Sequence, residues 1–181
     1  MPLAINDEPL GPYNEELLNL SALSYDRKAL STITSNLEKK LAKSISNAES
    51  LKRSYTVAAP TLNRHRRLPD VQRSSTVHGF SSGESGDYRK NLEVLKCLTV
   101  IVYICQNGSH AFLQWAKQVC DTLIYPIGRL SFHPKTSNAI YSKAELIIKF
   151  CKDDMELKSA RHSIDQIRSE LKPGSAHRWV S

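Results

Sequence analysis

Hydrophobic and polar positions alternate along this chain with the period of an α-helix, and they do so in separate blocks. Leu30, Ile33, Leu37 and Leu41 recur at steps of three and four, with Glu38, Lys39 and Lys40 off the stripe, which predicts an amphipathic helix starting at an Asp26 N-cap. Upstream, Asn14 is the expected cap of a short helix that turns Leu17, Leu18 and Leu20 or Ser21 inward. The densest apolar stretch is Tyr88–Trp115. Leu95, Leu98, Thr99, Val102 and Cys105 form one stripe and Val94, Cys97, Ile101 and Ile104 the next, so this helix belongs in the core, with Glu93, Lys96, Val100, Tyr103 and Asn107 left as the side that meets solvent.

Asn107-Gly108 predicts a helix end with a left-handed glycine, and Ser109 caps a following helix that presents Phe112, Trp115, Val119 and Leu123 until Pro126 stops it. Residues 125–141 are a connection, with Phe132 pinned to the core. Ser142 and Glu145 spell a capping box for a helix that buries Ala144, Ile147, Ile148 and Cys151. Asp153-Asp154 ends it and starts the last helix, whose inward positions are Leu157, Ala160, Ile164, Ile167 and Leu171, up to Pro173-Gly174. The expected class is all-α, a stack or superhelix of short helices.

Between these blocks the period disappears. Serine, arginine, proline and glycine dominate residues 43–87, read as one long disordered insertion that separates residues 1–42 from 88–172, with a short tail at 173–181. Most of the formal charge of +7 lies between Leu51 and Arg73, where Lys52, Arg53, Arg64, Arg66, Arg67 and Arg73 face one acid, Asp70. Such a segment attracts phosphate, on anionic lipid or on nucleic acid. Nucleic acid ranks last, because no aromatic residues interleave with the arginines and no recognition helix accompanies them. Ser74, Ser75 and Thr76 follow Arg73 and are candidate phosphosites that would offset the local charge.

Catalysis finds no support in the residues. Six histidines, at 65, 78, 110, 133, 162 and 177, are scattered without metal-ligand spacing, and there is no phosphate-cradling lysine loop, nucleophile elbow or dinucleotide fingerprint. Cys97, Cys105, Cys120 and Cys151 sit inside apolar patterns and read as buried thiols of a reducing compartment. The amino terminus lacks an apolar run of signal-peptide length, which predicts a cytoplasmic protein. No cofactor or metal is implied.

One resemblance gathers these features. Residues 4–41, with Asn6-Asp7, the Leu10-Gly11-Pro12 corner and the leucine-rich helix, look like the second and third helices of the epsin N-terminal homology (ENTH) domain. Residues 95–117, with their Asn-Gly-Ser junction, resemble its central helix pair, and residues 143–170 are similar to its closing pair. The resemblance implies an α-superhelix in a cytoplasmic, peripheral membrane-trafficking protein that binds phosphoinositide and assists clathrin-coat assembly. Clathrin, adaptor or SNARE proteins would be its partners. In that family basic residues at the end of the third helix and the start of the fourth contact the phosphates; Lys40 and Arg89 fall on those positions, Lys39 and Lys90 lie beside them, and Asn6 matches the polar residue of the corner. Glu93 stands where the family usually places a histidine, and the chain begins almost at the corner, without the leading amphipathic helix. Those departures leave a lipid-independent protein-interaction module as the alternative.

Overall fold

The computed structural model describes the backbone of residues 12–57 and 82–170, with side chains at 12–47 and 88–166. Every element in it is helical: α1 Asn14–Leu23, α2 Arg27–Val57, α3 Ser82–Asn107, α4 His110–Val119, a π-helical turn Cys120–Ile124, α5 Tyr125–Ile127, α6 Pro134–Lys152 and α7 Asp154–Glu170. The all-α expectation holds.

Local chemistry explains most of the boundaries. Asp26 Oδ1 accepts the Ala29 N–H at 2.8 Å and opens α2, and Ser109 Oγ accepts from Phe112 N–H at 3.3 Å at the start of α4. Asp153 closes α6, and its Oδ1 then accepts the N–H groups of Met155 and Glu156 to open α7. Before α1 the N-cap is Tyr13, one residue ahead of the expected Asn14, and Glu16 reaches back to the Tyr13 N–H at 3.0 Å.

Other expectations fail. The Ser142/Glu145 capping box lies in the middle of α6, which begins at Pro134 after a His133 cap; proline at the first helical position is preorganised and loses no hydrogen bond there. Pro126 does not stop α4, because the chain widens into a π-turn, Tyr125 N–H reaching Cys120 O, and the proline falls in the first turn of α5. Gly108 has no left-handed backbone; its requirement is space, since a Cβ there would lie 2.4 Å from Ile104 Cγ2 and 2.8 Å from Ser24 Oγ. Leu18, expected inside, is 49% exposed. Beyond these, α2 continues to Val57 and α3 begins at Ser82, so helix reaches into both ends of the stretch 43–87.

α3 is the axis of the body. It packs against α1, α2, α4, α6 and α7, and that enclosure removes the solvent face expected from its sequence. Val100 is fully buried, Lys96 is only 3% exposed, and Glu93, Tyr103 and Asn107 are half-buried. Leu37, Leu41, Leu98, Ile101, Ile104, Phe112, Ile124, Ile140, Ile147 and Phe150 complete one continuous core. Arg161 of α7 donates twice to Cys105 O, at 2.9 and 2.6 Å, so a cation covers the carbonyl end of α3.

The cysteines are free thiols, with Cys97, Cys105 and Cys120 buried. Burial pushes Cys97 and Cys105 up to about 12, with Lys40 and Arg161 respectively pulling back. Both native thiols therefore keep their protons above the pH at which unfolded thiols lose theirs, so their contribution is complete below about pH 8.5 and fades as pH rises toward 12. Urea denaturation at pH 7 and pH 10 should give a lower unfolding free energy at pH 10, and a Cys97→Ser/Cys105→Ser variant should lose much of that pH dependence.

Candidate functional site

Two tie points set α2 against α3. Near the start of α2, Ser109 N–H donates to Ser24 Oγ at 2.8 Å and Ser109 Oγ donates to Ser24 O at 2.7 Å. Further along, Lys40 Nζ of α2 is hydrogen-bonded to Glu93 Oε1 of α3. Moving forward along α2 thus moves backward along α3 by an equal number of residues, so the two helices run antiparallel in fixed register. A third link, Trp115 Nε1 donating to Glu38 Oε1 at 2.5 Å, holds α2 to α4.

This register decides where the cations fall. Arg89 is four residues before Glu93 and therefore on the same side of α3, one turn beyond the Lys40 clasp. Lys39 and Lys43 flank Lys40 on α2, and both are exposed, as are Arg89 and Lys90 on α3. Of the residues singled out in the sequence, Lys39, Lys40, Arg89 and Lys90 are thus brought to one level of the α2–α3 pair, midway along both helices. Asn6, Arg64, Arg66, Arg67, Arg73, Ser74, Ser75 and Thr76 lie outside the described residues.

Lys40 is engaged rather than presented. Glu93, which from the sequence alone would simply repel phosphate, takes up the Lys40 ammonium, and the two side chains are each 34% exposed. At that exposure the pair contributes about 0–1 kcal/mol to stability. Its effect on the surface is larger, since it removes one cation from the rim and fixes the approach of α2 to α3.

Two further residues join this rim without having been anticipated. Lys43 repeats the helical spacing of Lys39 and Lys40, a signal that was present but lay past the boundary assigned to the helix. Lys135 had no local signal. The Tyr88 ring meets the His133 ring edge-on with centroids 5.4 Å apart, bringing the first turn of α6 beside the first described side chains of α3. His133 Nδ1 accepts the Lys135 N–H at 3.2 Å, and Lys135 is exposed. The rim therefore draws on three helices: Lys39 and Lys43 from α2, Arg89 and Lys90 from α3, and Lys135 from α6.

Such a surface offers no reacting groups but a set of ammonium and guanidinium donors, chemistry that suits an anion presented from outside. Among the described residues no group of three or more His, Cys, Asp or Glu side chains could hold a metal ion, and no helix is long and apolar enough to cross a membrane.

Comparison with curated proteins finds no match. The family model for the ENTH domain does match, over residues 2–157, most of the chain and every helix that builds the rim. The chain belongs to the ENTH domain family, whose members are adaptor modules of membrane traffic rather than enzymes.

Proposed function

We propose that the chain binds the cytoplasmic face of a phosphoinositide-bearing membrane through the rim of Lys39, Lys43, Arg89, Lys90 and Lys135, and that it there assists assembly of a clathrin coat. The observation that carries the reading is the clasp between Lys40 and Glu93, whose register sets exposed cations of α2 and α3 at one level of the two helices. Each basic residue near an anionic surface contributes about 1 kcal/mol, so five hold a small domain reversibly and with strong salt dependence. Sedimentation with vesicles containing phosphoinositide, against neutral vesicles, tests it at physiological salt. Binding only to the anionic vesicles is expected; equal recovery with both, or none, refutes it.

A second reading, a module that binds a coat or SNARE protein without lipid, draws on the same clasp, because Glu93 occupies the Lys40 charge. The two readings differ on one variant. If the rim faces lipid, Glu93→Gln removes a negative charge from it and should tighten vesicle binding roughly fivefold, the equivalent of about 1 kcal/mol. Unchanged vesicle binding, with partner capture that survives high salt, selects the second reading.

A further inference from the structure

A second cationic feature lies where the carboxyl end of α6 meets Tyr125. After the π-turn, Tyr125 is left exposed, and Arg129 folds back over it: Nη2 donates to Tyr125 Oη at 2.8 Å, and the guanidinium carbon sits 4.4 Å from the ring centroid. Lys152, the last residue of α6, brings its ammonium to 6.0 Å from the same centroid. The two cations converge on one ring, and among the described residues neither makes an ion pair. Both cations are thus held at the same ring, and an anion beside it is attracted by both.

The neighbouring acids limit what that anion can be. Asp153 is committed to capping α7, and Glu145 lies 3.6 Å from Lys149. Asp121, four residues before Tyr125, is exposed, and Asp121, Arg129 and Lys152 together carry a formal charge of +1. One positive charge in excess beside an exposed aromatic ring suits a single carboxylate with an apolar neighbour, and suits a multiply charged phosphoinositide headgroup less well. Position points the same way. His133 at the start of α6 borders the rim, and the 19-residue α6 places Lys152 about 28 Å from it.

We infer that Tyr125, Arg129 and Lys152 form a docking point for an acidic peptide segment of a protein partner. Its carboxylate sits between the guanidinium and the ammonium, and its neighbouring apolar side chain lies on the tyrosine. Only the argument from distance rests on the lipid-facing rim; the charge argument stands without it.

The test titrates the full chain with a synthetic peptide alternating Asp or Glu with Leu and Phe, and with the same peptide carrying Asn and Gln instead. NMR follows the Arg129 Nε signal and the amides of Tyr125 and Lys152. Saturable shifts at these three positions are expected with the acidic peptide, with affinity roughly tenfold weaker for the amide peptide and for Arg129→Ala/Lys152→Ala. The same double variant should sediment with phosphoinositide vesicles as the parent does. Equal shifts from both peptides, or none at these positions, overturn the inference. Vesicle binding that falls in the double variant overturns it too, by assigning the site to lipid, whereas loss of vesicle binding in rim variants alone bears only on the rim.

Discussion

Gly108→Ala should destabilise the protein by about 3 kcal/mol, near the top of what over-packing a closed core produces. The added methyl would lie 2.4 Å from Ile104 Cγ2, 2.7 Å from Ile104 O and 2.8 Å from Ser24 Oγ, and two of those atoms cannot step aside cheaply. Ile104 is fully buried. Ser24 Oγ accepts the Ser109 N–H while donating to Ser21 O at 2.6 Å, so moving it leaves buried polar groups without partners. For a protein of this size the loss corresponds to a fall in Tm of roughly 6–12 °C. Ser24→Ala should partly rescue Gly108→Ala, since it removes the obstructing oxygen; a double-mutant cycle with no coupling would mean that the two residues do not meet as described.

The second large effect is on binding. Lys39→Glu/Arg89→Glu/Lys90→Glu removes three cations from the rim and adds three acids, and it should weaken phosphoinositide-vesicle binding by more than about 100-fold, from about 1 kcal/mol for each cation lost alone. All three side chains are exposed, so the variant should fold with a Tm near that of the parent. Retained vesicle binding in a folded triple variant would move the lipid surface elsewhere. Lys40 is left out of this set because its ammonium is already held by Glu93.

How much of this was legible in the chain depended on whether the signal was local. Asp26, Ser109 and Asp153 cap the helices they were expected to cap, because a cap is made within a few residues of itself. Ile33, Leu37 and Leu41 are buried at their predicted spacing, because α2 has one face toward the core and periodicity reports one-sided burial faithfully. The same reasoning failed on α3. A helix enclosed on all sides has no polar face to reveal, and Lys96 and Val100 were assigned to solvent only because they fell off the apolar stripes. Ser142 and Glu145 show the opposite failure, a capping-box spelling inside a helix already begun at Pro134.

The rim was half legible. Lys39, Lys40, Arg89 and Lys90 came from family resemblance, and the structure brings them to one level of the α2–α3 pair. The pairing of Lys40 with Glu93 could not be read, since it joins residues 53 positions apart and depends on the register of two helices. Lys135 depends on a contact between Tyr88 and His133 across a comparable span. Charge complementarity between elements, unlike hydrophobic period within one, has no local trace.

The central claim is that the rim of Lys39, Lys43, Arg89, Lys90 and Lys135 faces the bilayer. Its most direct test is paramagnetic broadening of backbone amide signals by vesicles carrying a nitroxide on the phosphoinositide-containing headgroup layer. The account predicts strong broadening at Lys39–Lys43, Arg89, Lys90 and Lys135, and little at Ser24, Arg129 and Lys152. Broadening greatest at Ser24 or Lys152, or uniform over these positions and the rim, would contradict it.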